Sequence, residues 1–514
     1  MHRIFLINEL LELIVHQVPD SQQDSVHTWE LLSHERHDIE SLSLTSRMFR
    51  ELCLDVLWQT QYSLLPLFRS VGITVVVPNY KPMPVRKYDL TRSLAEADFP
   101  TILQYSRRIK SLSLRKRFHK LTTSALLLAS ESPVSVLFPQ LRTLVGHHQL
   151  EPLFVLPRTG VALTNLKLPL MRHSPSVKYL GMVAALEARI TSLDLSYHSG
   201  SQLELQLCDI ICSTLAGIEG LRTLCLHLHI DARVWSVLSG LASLTTLSLN
   251  RLSGGFDAFP YGHTLIFPSL SNLTIRVASV IEFTLLLKCS NLPSLRSLDL
   301  TVLSKASRSD VLSLSNALVS SCNSALFTTL GIISTTNVNV NALGPVEEPS
   351  REDTIRSEAL RPLLHFRQMR HLEFTTNWWW DLDDVLIHEM ANAWPNLWTL
   401  RLDPLAGWSR PCRITLLSLL PLAQSCPNLD YFGVVLDSSP LPSCNSSVDC
   451  PPHFIRLCFG SSAVESPEEV AAYLARLFPR GVLEVMGNLD RKSAEGWRRV
   501  RQLIASLVAE QRSS

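Results

Sequence analysis

The chain has 514 residues, more than one compact core usually holds, which leaves several domains or one elongated repeat domain. Hydrophobic residues make up 46% and charged residues 18%, with a mean hydropathy of +0.15, which excludes a disordered chain. A formal net charge of +1 excludes a global field for nucleic acid or anionic lipid, so any polyanion site must be local.

The N-terminal segment MHRIFLINELLELIVHQVPD is apolar, but Glu9, Glu12 and His16 interrupt it before a signal-peptide core could form. No later stretch approaches the roughly 18 consecutive apolar residues of a membrane span. Eleven cysteines are scattered singly, several in apolar stretches such as LRTLCLHLHI, which fits small core residues in a reduced compartment. These features predict a soluble intracellular protein, cytoplasmic or nuclear, with no membrane or nucleic-acid partner and no cofactor.

Helix spacing begins at Asn8, a candidate N-cap, with Leu11, Ile14 and Val18 on one stripe and Glu9, Glu12 and His16 opposite. A second pattern follows in DIESLSLTSRMFRELCLDVLW, where Leu42, Ser46, Phe49 and Cys53 share a face. So short a helical module buries only a marginal core and is expected to dock on something. The segments LINELLELIVHQV and LSLTSRMFRELCLDVLWQTQYSLLPLF together resemble an F-box, in the form found in fungal proteins. The residues that carry the resemblance are Leu6-x-Asn8-Glu9-Leu10-Leu11 with Ile14, then Leu44-Thr45-Ser46-Arg47-x-Phe49 and Leu57-Trp58; Ile7 stands where the family usually has proline. The resemblance implies docking on a Skp-family adaptor through Leu6, Ile7, Leu10, Leu11, Ile14, Leu44, Phe49, Leu57 and Trp58, and through it on the cullin scaffold of an SCF-type ubiquitin ligase. The periodicity alone is equally served by an N-terminal cap of the next domain.

From residue 101 a motif recurs: an apolar residue, two variable residues, Leu, one variable residue and another apolar residue. Its members include IKSLSL, LTNLKL, ITSLDL, LRTLCL, LTTLSL, LSNLTI, LRSLDL, MRHLEF, LWTLRL and the weaker LDYFGV. The starts at Ile190, Leu221, Leu244, Leu270 and Leu295 are 31, 23, 26 and 25 residues apart, near the spacing of leucine-rich repeats. Pro139, Pro268, Pro293, Pro395 and Pro427 each stand two residues before a motif, where proline ends a helix and favours an extended approach. Helical patterns lie between, as in SDVLSLSNALVSSC, with Ser309 or Asp310 as cap, and PCRITLLSLLPLAQSC, opened by its proline.

The expected fold class is therefore α/β: a short N-terminal helical module, then an irregular leucine-rich-repeat solenoid with parallel strands inside and helices outside. Residues 1–66 form the F-box-like module, 67–100 a Pro-rich connector, 101–465 the solenoid with loops at 344–356 and 437–452, and 466–514 a helical cap with the last strand. This organisation resembles the divergent repeats that follow F-boxes, and it implies a substrate-recognition subunit that holds an unknown protein target and does no chemistry itself. A repeat scaffold without ligase assembly is the alternative.

Residues 375–386, TTNWWWDLDDVL, join aromatic residues to acids, as a glycoside hydrolase would. Between two repeat strands they read more simply as a strand-to-helix turn. Asp381, Asp383 or Asp384 would cap the helix, and Trp378, Trp379, Trp380 and Trp394 would pack between repeats. Trp378, Trp379 and Trp380 alternatively form a partner-binding rim. The basic run RRIKSLSLRKRFHK lacks the interleaved aromatics of a base-stacking surface and reads as a solvated rim. Cys444, Cys450 and His453 lack the tight paired turns of a zinc site, so no metal is expected.

Overall fold

The computed structural model describes residues 41–76, 89–114, 136–146, 155–170, 181, 183, 190–197, 204–252, 264–334, 353–404, 407–408, 412–439, 454–485 and 491–513, with a few positions inside these ranges left out. Leu6, Ile7, Leu10, Leu11 and Ile14 lie outside them, as do Cys444, Cys450 and His453. The chain divides into two compact units, Met1–Leu203 and Glu204–Ser514.

In the first unit the helix Arg47–Gln59 runs directly into Thr60–Gln61, which pairs in parallel with Ser111–Leu114. Thr143–Gly146, Asn165–Leu170 and Ser192–Tyr197 continue the ladder, each parallel to the one before. Arg108, only 7% exposed, fastens the helix to this sheet by donating to the carboxylates of Glu51 and Asp55 and, at 3.2 Å, to the Glu51 carbonyl. Arg108 is thus no part of a solvated rim, unlike its exposed neighbour Arg107. The 67–100 stretch, read above as connector, carries the rest of a helix at Leu65–Ser70, an antiparallel pair of Val75–Val76 with Asp89–Leu90, and the start of the helix Phe99–Ser106. Phe68, Phe99, Ile102, Leu137 and Phe138 line a small apolar cavity among these pieces.

The second unit is a longer parallel ladder in the order Thr223–Ile230, Thr246–Leu252, Asn272–Val277, Ser297–Val302, Thr329–Ser334, His371–Thr375, Thr399–Leu402, Tyr431–Val434, Phe454–Cys458 and Arg480–Leu483. Its strands alternate because side chains on a strand point to opposite faces. Leu298 and Leu300, Leu330 and Ile332, Leu372 and Phe374, and Leu400 and Leu402 are buried, and each aligns in register with its counterpart. A fully buried leucine contributes about 1.5–3 kcal/mol, so the ladder is the main source of cohesion. The fold class read from the repeats is the one observed: parallel strands form one layer and the intervening helices another, with Val280–Lys288 against Arg308–Ser321 and Pro467–Leu477 against Arg491–Ser513.

Local chemistry explains where the elements begin. In Leu292-Pro293-Ser294-Leu295 and Trp394-Pro395-Asn396-Leu397 the fourth residue donates to the carbonyl of the first, at 3.2 and 3.1 Å. These prolines therefore occupy the second position of a β-turn, where their fixed φ is preorganised, instead of starting an extended approach. Asp231, Ser279 and Ser307 cap their helices; Ser307, not Ser309 or Asp310, is the cap of Arg308–Ser321, with Asp310 closing a capping box. The segment after Pro411 turns helical only at Leu416, behind the capping hydroxyl of Thr415. At the end of the chain Trp497 is buried against Phe459, ring centroids 4.8 Å apart, and donates to the Ser462 carbonyl at 2.9 Å. A terminal repeat needs such a cover because it has no neighbour on one side.

Candidate interaction face

The tryptophan-rich stretch resolves into a structural cluster. Trp379–Asp381 is a short strand, not a turn, and pairs in parallel with Thr354–Arg356 on one side and Gly407–Trp408 on the other. The first of these partners lies at the end of the stretch 344–356, read above as a loop. Trp378 and Trp380 are fully buried, so the expectation that they form a partner-binding rim is corrected: neither has a face to offer. Trp380 packs between Phe374 and Trp408, with centroids 5.2 and 6.4 Å away. Trp379 is half-buried. The indole N–H groups of Trp378 and Trp394 are buried without a partner, which costs about 1–3 kcal/mol each.

Each acid in this stretch has a structural task. Asp381 accepts from Arg413 at 2.8 Å and lies 3.5 Å from Arg356. Asp383 is the N-cap, accepting from the Leu386 N–H at 3.0 Å. Asp384 holds the next repeat by accepting from the Thr415 N–H and hydroxyl at 2.7 and 2.6 Å. Asp403, the deepest carboxylate among the described residues, was not singled out by sequence. It is 1% exposed and accepts from the Thr376 N–H at 2.7 Å, the Thr376 hydroxyl, and the Trp380 indole at 3.3 Å. Burial pushes its pKa up to about 7 against these hydrogen bonds. Its backbone takes a positive φ of 49°, and close by Gly460, φ 48°, is a required glycine: a Cβ there would fall 1.6 Å from the Pro404 carbonyl oxygen.

The opposite faces of the strands in the second unit carry the polar residues. One row across the ladder reads Ser248, Thr274, Asp299, Gly331, Glu373, Arg401 and Gly433. The next reads Asn272, Ser297, Thr329, His371, Thr399, Tyr431 and Arg456. Arg401 donates to Glu373 at 3.0 Å, Arg456 donates to Asp430 at 2.7 Å, and the Arg456 guanidinium lies 5.5 Å from the centre of the Tyr431 ring. Gly433 leaves room for that ring, since a Cβ would sit 2.8 Å from Tyr431 Cε1. Burial and the neighbouring Glu373 raise the pKa of Asp299, whereas burial and then Arg370 lower that of His371.

A third row runs along the edge where the strands begin. Backbone hydrogen bonds line up Arg222, Thr245, Ser271, Arg296, Thr328, Arg370, Trp398 and Asp430, each one residue ahead of its strand in successive repeats. Arg222, Arg296 and Arg370 are exposed, and Trp398 is 48% exposed with its ring edge-on to His371 at 6.1 Å. Their signal was present in the motif itself: each follows the first apolar residue in LRTLCL, LRSLDL, MRHLEF and LWTLRL. It goes unnoticed until the repeats are stacked.

Of the other residues assigned to adaptor docking, Leu44 is 88% exposed and Leu57 half-buried. Phe49 lies in the helix Arg47–Gln59. Trp58 spends one face on Tyr105, the rings stacked with centroids 4.6 Å apart. Among the described residues no helix is long and apolar enough to cross a membrane.

No family model matches the chain, and no curated protein does. Among solved structures, a leucine-rich-repeat protein of Leptospira interrogans is similar over 74% of this chain and 97% of its own length, at 14% identity and a TM-score of 0.30. That likeness is too slight to carry an argument, and the repeat architecture rests on the register and burial described above.

Proposed function

We propose that this chain is a non-catalytic repeat scaffold that holds a protein partner on the polar strand face of its second unit. We further propose that its N-terminal helices tether it, as an F-box does, to a Skp-family adaptor and through that to the cullin scaffold of an SCF-type ubiquitin ligase. The observation that supports the scaffold is the division of labour along each strand: one face is spent on the leucine ladder, while the other displays charged, hydroxyl and aromatic side chains on a rigid base. Tethering a bound target beside a transferring enzyme raises its effective concentration, so the chain needs no catalytic groups of its own.

The F-box reading is supported by the sequence resemblance and by Leu44, an apolar residue 88% exposed just ahead of the helix Arg47–Gln59. Co-expression of the full chain with a recombinant Skp-family adaptor tests it. A stable complex is expected, weakened at least tenfold by Leu44→Glu, a change at a surface position that leaves the melting temperature in place. Folded chain that elutes free of the adaptor would refute the ligase reading and leave the scaffold without that tether.

A further inference from the structure

We infer that the strand-start edge of the second unit, Arg222, Arg296, Arg370 and Trp398, is the docking surface for an acidic, extended peptide segment of the protein partner. The inference rests on the scaffold reading and names the chemistry of what it binds.

From Arg222 to Trp398 the edge carries three arginines and no acid. Among the described residues none of these guanidinium groups has an ion pair or hydrogen bond, whereas Arg401, Arg413 and Arg456 nearby are all paired. Free guanidinium groups held on a rigid backbone favour carboxylates, which they bind in a fork with little further ordering. Arg370 already acts on its surroundings, since its charge is one of the causes that hold the His371 pKa down. Trp398, next in the row, offers an apolar ring at the end of the basic stretch, and tryptophan with arginine is the pairing that dominates binding hot spots.

The geometry sets the length of the ligand. Six strand-to-strand steps separate Arg222 from Trp398. At about 4.8 Å per step the row spans about 29 Å. An extended chain covers that in about nine residues. Arg222 and Arg296 are three steps apart and Arg296 and Arg370 two, so acids spaced about four and then three residues apart meet all three, with an apolar side chain near the end over Trp398. A nucleic acid fits less well. Its phosphates need a dense basic track, and a single indole makes a poor platform for stacked bases.

The test uses the full chain and a fluorescein-labelled peptide of about nine residues, with glutamates at that spacing, serines between and a leucine near the end, followed by fluorescence anisotropy. Saturable binding is expected, weakening as salt is raised, because exposed charges are screened within about 10 Å at 0.1 M. The double variant Arg296→Glu/Arg370→Glu should weaken it at least tenfold and Trp398→Ala at least threefold. All of these positions are exposed, so melting temperatures should match the parent. The surface is wrong if the peptide fails to bind, if a lysine version binds equally, if the double variant binds as tightly as the parent, or if a single-stranded oligonucleotide of equal charge is preferred. A protein partner whose binding survives the double variant would also overturn it, while leaving the scaffold reading intact.

Discussion

Replacing Asp403 with asparagine should remove a pH dependence from the stability of the second unit. Asp403 is 1% exposed and its pKa is raised from 3.8 to about 7, with burial outweighing hydrogen bonds from Thr376 and Trp380 and the charge of Arg401. A carboxyl whose folded pKa lies above its unfolded one holds more protons in the folded state between the two values. The contribution of Asp403 to stability is therefore greatest below about pH 4, declines as pH rises, and levels off once pH has passed about 7. At about 1.4 kcal/mol per pH unit, a window of about three units corresponds to roughly 4 kcal/mol, an upper bound because an opening structure rehydrates the group. Asparagine tolerates the positive φ of 49° and keeps an acceptor for the Thr376 N–H and the Trp380 indole, so it isolates the charge. Urea unfolding followed by tryptophan emission at pH 5, 7 and 9 reads the effect as the difference between parent and variant, which cancels groups common to both. The advantage of Asp403→Asn over the parent should grow by roughly 3 kcal/mol between pH 5 and pH 9, because about one of the three pH units of the window lies below pH 5. A difference that stays flat across this range, or that favours the parent at pH 9, would show that the carboxylate is stabilised in place by its donors and refute the reasoning.

Trp380→Ala should cost about 3–5 kcal/mol, as for a fully buried aromatic, whereas Trp379→Ala, at a half-buried position one residue away, should cost less than about 1 kcal/mol; denaturation midpoints separate them. Gly460→Ala sets a methyl group 1.6 Å from the Pro404 carbonyl at a positive φ and should destabilise by roughly 2–4 kcal/mol in the same assay. Arg108→Ala removes the group that ties Glu51 and Asp55 to the first sheet, so amide exchange in the helix Arg47–Gln59 should quicken at least tenfold with little change in the second unit.

The fold was legible where one short pattern repeats and could not be read where a contact joins different repeats. Leu298 and Leu300 announce themselves locally, because two-residue alternation within a six-residue strand already states which face is buried. Asp383 is nearly as plain, since an acid just ahead of an apolar helical pattern is a cap in most settings. Asp403 is the contrary case. In RLDPLAG it has the look of an ordinary Asp-Pro turn, and its burial depends on Thr376 and Trp380, 27 and 23 residues earlier. Trp378 and Trp380 fail for the same reason: exposure at a loop and burial in a second small sheet differ only through partners at 354–356 and 407–408.

The arginine edge shows what the register adds. Arg222, Arg296 and Arg370 stand 74 residues apart in sequence and share no local charge run, while the conspicuous basic run around Arg107 includes a buried member already paired with Glu51 and Asp55. Charge density along the sequence is thus a poor guide to surface potential in a repeat protein. The ladder brings together residues one repeat apart and separates sequence neighbours to opposite faces of a strand. The informative quantity is charge at a fixed position of the motif. There the residue after the first apolar position is arginine three times and tryptophan once between Leu221 and Leu397, with threonine or serine in the remaining repeats. None of these positions is held by the core, since the buried apolar residue before each one and the first leucine of each strand already fill it. Side chains free of a packing task and aligned on one edge are where a repeat scaffold can acquire a partner without disturbing its fold, which is why the charge reversals at Arg296 and Arg370 should change binding and leave stability alone.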